Sequence, residues 1–495
     1  MVLFETILAL LLGAALMSMV AGKIGVPYPT LLALGGIGLA LTPGMPIPDM
    51  APELILTLFV APVLLDAAHD TSWRDLKRNW SPILSLVVIA VGLTTLSVAA
   101  AVRFFLPDMP WAAAIALGAL LAPPDAVAAL AVMKSVSPPH RIRAVLEGES
   151  LLNDASSLLI YSLAVAAVVD GHFDAADILP AFLLVSVASV AAGWALARLI
   201  GRLTALIQEP ATATILQLVT TFGIWIVAEK LGLSSVITLV AFGITAGRRA
   251  SESSPTEVRV KSFAAWEAVT MVLNVLAFTM IGLQLRPIAD GLTAEQWAVY
   301  PLYGVAILLI AISVRMLWVF VHGATRRLFV SGTDELLATW GGTFKSGLVV
   351  GWSGMRGIVT VAAALALPAE FPHREFALLV AFIVVLGTLI VQGLTLKPLL
   401  KLLRFPPDTI VADEIRVGRE AALRAAMATL EGDESSAAQL LRQEFADAMR
   451  TYRAGLSLRH ASCSVLRRQM VPACRRAIDT LRVDSMIGDE AAGLY

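Results

Sequence analysis

Apolar stretches recur from the N-terminus to about residue 403, divided by short segments that hold most of the charge. A bilayer about 30 Å thick needs about 20 helical residues per crossing. At that length the chain offers thirteen candidate spans: 3–22, 27–44, 53–69, 81–105, 111–133, 144–169, 178–200, 212–229, 233–247, 264–285, 299–322, 346–368 and 376–402. The spans at 27–44 and 233–247 are short. From about 406 the pattern changes, with Asp408, Asp413, Glu414, Arg416, Arg419, Glu420 and Arg424 in quick succession. Apolar residues then return at helical spacing, as in Ala437, Leu440, Leu441, Phe445 and Met449, which predicts cytosolic helices over 415–430 and 436–482. The expected organisation is a membrane domain over 1–405 and a cytosolic C-terminal tail over 406–495, either solvated helices alone or a regulatory element.

Composition agrees with the pattern: 58% of the chain is hydrophobic and 15% charged, which excludes an ordinary soluble domain. Loop charge sets the orientation, because Lys- and Arg-rich loops stay in the cytoplasm. One set of alternate loops holds Lys23, Arg74, Lys77, Arg78, Lys134, Arg141, Arg143, Arg198, Arg202, Arg248, Arg249, Arg259, Lys261, Arg326, Arg327 and Lys345. The other holds Arg103, Lys230, Arg286 and Arg374. Omitting either short span would scramble this asymmetry, so both are kept. The N-terminus is then expected outside and the tail in the cytoplasm of a multi-pass cell-membrane protein. The first helix lacks the basic start of a signal peptide and is expected to be retained. Cys463 and Cys474 lie in the tail without a metal-binding partner set and are expected to be free thiols. The six histidines fall in loops, at helix ends or in the tail.

An ionisable side chain inside a span costs about 2.5–3.5 kcal/mol on insertion scales, so each calls for a partner or a function. Asp66, Asp125, Glu147, Glu149, Asp154, Arg315 and Arg356 are of this kind, with Glu229 and Glu267 near helix ends. In "VLEGESLLNDASSLLIY" (145–161), Glu149 and Asn153 are four apart, as are Ser150 and Asp154. That spacing makes one polar stripe, which must face protein or a water-filled cavity. Leu151, Leu152, Leu158 and Leu159 lie opposite and suit lipid or a packed helix.

The preceding span is interrupted at Pro123 and Pro124, with Asp125 directly after. Each proline removes a donor and obstructs the carbonyl four residues back. Asp125 either caps a simple kink or belongs to a transport site, since helices broken at mid-membrane are a device of secondary transporters. The twelfth span has a matching weakness: Gly351, Gly354 and Gly357 surround a buried cation, Arg356. Fifth and twelfth spans correspond if spans 1–6 and 8–13 are inverted repeats around a linker helix.

The blocks "APPDAVAAL", "EGESLLNDASSLLIY", "WEAVTMVLNVLAFTMIGLQL", "SGMRGIVTVAAALALP" and "VQGLTL" together resemble the sodium/proton exchanger branch of the monovalent cation/proton antiporters, the NhaP-like proteins, over residues 10–400. The resemblance implies that Asp154 is the carboxylate carrying either a proton or a cation. It implies supporting roles for Asn153 and Ser150, and places Asp125 on the unwound crossing helix. It also implies an ion-holding role for Asp66, and a structural ion pair of Glu149 with Arg356. Asp154, Asp125 and Asp66 are thus the expected acidic ligands of the transported ion. Relatives often carry Thr at Pro124, and this proline offers a carbonyl but no hydroxyl. Glu147 is left between a cytoplasmic funnel and a second contact for Arg356.

The implied activity is exchange of a monovalent cation, Na⁺ or alternatively Li⁺ or K⁺, for H⁺ by alternating access. A carboxylate removed from water loses its preference for the bare anion, so proton and cation compete for it. Asn153 stands where electrogenic relatives have a second acid, which implies one-for-one electroneutral exchange. Beyond the transported ions no cofactor, enzymatic activity or nucleic-acid partner is expected; the resemblance implies a homodimer in the lipid bilayer. Two competitors fit less well: an intramembrane aspartyl protease would need Y-D and G-x-G-D contexts, which are absent, and a cation channel would build acidic rings from repeated subunits.

Overall fold

The computed structural model describes residues 2–24, 26–42, 52–133, 136, 138–170, 175–204, 209–253, 256–329, 340–406 and 408–453. Among them every regular element is helical. The chain divides into two units, Met1–Pro406 and Pro407–Tyr495.

The first unit runs α1 (Val2–Ile24), α2 (Tyr28–Ala40), α3 (Pro52–Ile55), α4 (Ala61–Asp70), α5 (Trp73–Arg78), α6 (Trp80–Leu84), α7 (Val91–Phe105), α8 (Trp111–Leu121), α9 (Ala126–Met133) and α10 (His140–Asp170). It continues with α11 (Ala175–Thr204), α12 (Pro210–Lys230), α13 (Ser235–Ser253), α14 (Thr256–Leu283), α15 (Leu285–Asp290), α16 (Ala294–Phe329), α17 (Trp340–Trp352), α18 (Ile358–Leu365) and α19 (Arg374–Leu403). Wider π turns at Leu56–Val60 and Ser85–Ala90 join α3 to α4 and α6 to α7. Each candidate span falls on a helix or on two helix halves. Among the described residues seven helices are long and apolar enough to cross a bilayer: Trp80–Phe105, His140–Val169, Phe182–Leu203, Pro210–Lys230, Lys261–Asp290, Ala294–Thr325 and Arg374–Leu403.

Two of the spans are broken where the sequence predicts. Residues 122–125 separate α8 from α9, and residues 353–357 separate α17 from α18. Such backbone survives in a membrane only when surrounded by protein. Accordingly α8 is buried almost all round, packed in one apolar core with Val98, Tyr161, Phe376 and Val380, and residues 353–358 are all buried. The outer helices have the opposite surface: α11 exposes Leu184, Val187 and Leu199, and α16 exposes Leu302, Leu309 and Leu317. Apolar faces on this scale mark contact with lipid or a partner, not water.

The short α2 is held by close packing. A Cβ on Gly36 would lie 2.2 Å from the Thr279 carbonyl oxygen, and one on Gly282 2.1 Å from that of Ala33. Glycines at both positions let the backbones of α2 and α14 touch, the small-residue packing typical of membrane helices.

The second unit contains α20 (Ile410–Ala428) and α21 (Ser436–Arg453). The first tail helix thus starts and ends earlier than 415–430. The second begins where predicted, and the expected stretch beyond 453, with Cys463 and Cys474, lies outside the described residues.

Candidate functional site

A broken helix leaves carbonyls without partners at the end of its first half and N–H groups without partners at the start of its second. Here charged side chains answer each end. Arg315, on α16, donates Nε to the Gly351 carbonyl at 3.3 Å and Nη2 to that of Val350 at 3.0 Å, at the C-terminal end of α17. Arg356, in the second break, donates Nε to the Leu121 carbonyl at 3.0 Å, at the C-terminal end of α8, and Nη1 to Gly354 O. Cations belong at these ends, where the helix dipole is negative.

Asp125 serves the opposite ends. Its Oδ1 accepts from the Val127 amide at 2.8 Å, in the first turn of α9. Its Oδ2 lies so close to Gly357, directly before α18, that a Cβ there would come within 1.6 Å. One carboxylate thus sits at the positive ends of two half-helices. The breaks are also joined through backbone, with Asp125 N donating to Met355 O at 2.6 Å. The Arg356 amide donates to Thr388 Oγ1 at 3.0 Å, fastening this crossing to α19.

The polar stripe of α10 faces the crossing, and the Tyr161 hydroxyl ties it to α18 by donating to Ala363 O at 2.8 Å. Leu151 and Leu159, opposite, are buried against neighbouring helices, so that face suits packing and not lipid. Glu149 is 0% exposed, and both its oxygens accept from Arg315, one from Nη2 at 2.9 Å and the other from Nη1. This corrects the expected pair of Glu149 with Arg356. Arg356 contributes to the charge around Glu149, but its hydrogen bonds go to backbone carbonyls and its Nη2 has no partner. The reason is position: α16 packs along α17 and brings Arg315 to α10, while Arg356 points toward the end of α8. Glu147 pairs with Arg143 one turn earlier, at 3.4 Å and near the surface, and is not a second contact for Arg356.

Asp154 is 7% exposed and, among the described residues, makes no hydrogen bond or ion pair. The charge that reaches it is that of Asp125. Asn153, 1% exposed, donates Nδ2 to Glu149 Oε1 at 3.2 Å, while its Oδ1 has no partner. Ser150 is half-buried on the same stripe, and Pro124 is buried in the first break. Asp66 is half-buried on α4. Among the described residues no three acidic, histidine or cysteine side chains converge as a metal cluster, so Asp66, Asp125 and Asp154 do not form the three-acid set expected. Glu229 and Glu267 are exposed, as their places near helix ends predict.

Two features were missed from sequence. Arg315 stood among the costly charges without a partner, and only packing reveals which cation reaches Glu149. Thr388 gave no signal, since a lone hydroxyl in an apolar helix is unremarkable until an unpaired amide is found beside it.

Two broken helices crossing inside a helical membrane bundle, with an unpaired carboxylate beside the crossing, define the architecture of a secondary transporter. Residues 7–402 match the family model described as "Sodium/hydrogen exchanger, transmembrane", and the chain belongs to that family. It is therefore a multi-pass membrane protein. It is 29% identical to the Na(+)/H(+) antiporter ApNhaP of Aphanothece halophytica, over 80% of this chain and 74% of the relative. It is 30% identical to the low-affinity Na(+)/H(+) antiporter NhaS1 of Synechocystis sp., over 82% and 75%. A Bacillus pumilus relative, 29% identical over 82% of this chain and 62% of its own length, is named a sodium, potassium, lithium and rubidium/H(+) antiporter. The structure of the sodium proton antiporter MjNhaP1 from Methanocaldococcus jannaschii has the same fold, with a TM-score of 0.62 at 18% identity, over 82% of this chain and all of that one.

Proposed function

We propose that this chain is an antiporter that moves a monovalent cation, Na⁺ first and Li⁺ or K⁺ as alternatives, against H⁺, with Asp154 binding each in turn. The observation that carries this is the Asp154 carboxylate itself, buried at the crossing and without any hydrogen-bonding or cationic partner among the described residues. A carboxylate in that setting is poorly stable as a bare anion, so it takes up either a proton or a cation, and the two exclude each other. Asp125 and Glu149 are engaged otherwise, one at two helix N-termini and the other with Arg315. Alternating access follows if the broken-helix region moves relative to the rest, exposing Asp154 to each side in turn. Because the residue beside Asp154 is the neutral Asn153, we expect one proton per cation and no net charge movement. The loop charges support an external N-terminus and a cytoplasmic tail.

The test is proton flux in proteoliposomes carrying the purified chain, with Na⁺, K⁺ and Li⁺ added separately. Asp154→Asn should insert normally and exchange nothing. Exchange retained in that variant would refute the site. Flux that changes when the membrane potential is clamped would refute the one-for-one ratio.

A further inference from the structure

A cation stripped of water needs several oxygens, and Asp154 alone supplies two at most. With no three-acid cluster among the described residues, neutral oxygens have to supply part of the shell. Buried oxygens still lacking a hydrogen bond are the natural candidates, since leaving a polar group unsatisfied is costly unless something else occupies it. Two such oxygens lie on α10 next to Asp154: Asn153 Oδ1 and Ser157 Oγ.

Ser157 is 1% exposed and its hydroxyl lacks a hydrogen bond, as do those of Thr95, Thr238 and Ser346 among the described residues; of these four, Ser157 is the one on α10. Several buried hydroxyls elsewhere fold back onto the carbonyl four residues earlier: Thr221 to Gln217 at 2.6 Å, Thr270 to Trp266 at 3.2 Å, Thr279 to Val275 at 2.8 Å and Ser353 to Val349 at 2.7 Å. For Ser157 that carbonyl belongs to Asn153, and it already accepts from Ser156 Oγ at 3.1 Å. The helix geometry then decides where the hydroxyl lies. Successive residues turn by about 100°, so the neighbours Asn153 and Asp154 diverge. Ser157 falls between them, about 40° from Asn153 and about 60° from Asp154, one turn further on. Residues three and four apart have Cβ atoms about 5–6 Å from one another, a gap that one bound ion spans.

We propose that Ser157 is a ligand of the transported cation, its hydroxyl oxygen completing with Asn153 Oδ1 and the Asp154 carboxylate an oxygen site for a dehydrated monovalent ion. The proposal rests on the exchange reading above and adds to it a residue that sets cation affinity. Proton binding at Asp154 needs no such ligand. Losing the hydroxyl therefore weakens the cation and leaves the proton half of the cycle intact.

The experiment compares the full-length wild type with Ser157→Ala, Ser157→Thr and Asp154→Asn in proteoliposomes, reading proton flux against Na⁺, Li⁺ and K⁺ concentration. Ser157→Ala should raise the apparent KM for Na⁺ and Li⁺ roughly three- to tenfold, the scale of one lost oxygen contact, with the maximal rate within about twofold. Ser157→Thr keeps an oxygen and should restore most of the affinity. Melting temperatures in detergent without transported cations separate this role from a structural one. Removing an unpaired buried hydroxyl should leave the fold as stable as before or more so. Ser157→Ala with unchanged KM for every cation overturns the ligand assignment, and so does Ser157→Ala that melts lower or fails to fold. A wild type that moves no protons in response to any of the cations overturns the exchange reading and the ligand set with it. A wild type that exchanges, beside an unaffected Ser157→Ala, overturns Ser157 alone.

Discussion

Replacing Arg315 by Met removes the cation that both oxygens of Glu149 engage, in a site where Glu149 is 0% exposed and Arg315 3%. What remains for the carboxylate is the Asn153 amide at 3.2 Å and the more diffuse field of Arg356. Breaking a buried pair from one side costs about 3–5 kcal/mol in soluble proteins, because the partner is left charged and uncompensated. The carbonyls of Val350 and Gly351 also lose their donor. Arg356→Met leaves Glu149 with Arg315 and removes hydrogen bonds only to carbonyls. Its cost should be smaller, about 1–3 kcal/mol. Converting Glu149 to Gln together with Arg315→Met removes both charges and should recover much of the loss. Chemical or thermal unfolding in detergent on all the single and double variants gives two coupling energies, Glu149 with Arg315 and Glu149 with Arg356. The first should be clearly the larger. Equal couplings, or a larger one to Arg356, would refute the pairing derived from the geometry. Arg315→Lys should fall between wild type and Met, since an ammonium cannot engage both oxygens and the helix end with the same fixed fork.

Gly357→Ala should abolish exchange with little loss of membrane insertion, because the new methyl occupies the place of Asp125 Oδ2, 1.6 Å away; near-normal flux would show that Asp125 can leave this position freely. Asn153→Asp should lower both melting temperature and activity, since it turns a donor 3.2 Å from Glu149 into a second carboxylate; an unchanged melting temperature would show that the amide does not hold Glu149. In the loop after α7, Asp108 is held below the usual carboxylate range first by its own backbone amide and then by His373, whose Nε2 lies 2.8 Å from Oδ2. A depressed carboxylate stabilises the fold above its unfolded-state range and loses that contribution as pH falls through its folded value. Asp108→Asn should therefore lower the melting temperature slightly at neutral pH and leave the acid end unchanged, which makes the pH profile shallower between them; a profile parallel to that of the wild type would exclude the contribution.

What sequence reveals of this protein depends on whether the cost is local. Pro123 and Pro124 break a helix wherever they occur in it, so the first discontinuity could be read without a fold, and the glycines around Arg356 mark the second in the same way. The stripe of Glu149, Asn153 and Asp154 follows from helical spacing alone. The partner of Glu149 does not, because Arg315 lies 166 residues away and two buried cations compete for one acid until α16 is packed along α17. Ser157 is hidden for another reason: a buried serine often satisfies itself on its own helix, and helical spacing does not show that this one is left without a partner. The charge pattern calls for the short α2, whereas its packing reason, the glycine contact with α14, depends on tertiary structure.

The charges at the crossing can then be sorted by what they compensate. Arg315 and Arg356 answer the negative ends of α17 and α8, Asp125 the positive ends of α9 and α18, and Glu149 answers Arg315. Each of these is bound to a structural counterpart, and moving a proton or a cation on or off it would disturb the breaks themselves. Asp154 has no such counterpart among the described residues. Its ligand can change without dismantling the helices around it, which is the property an exchange site requires.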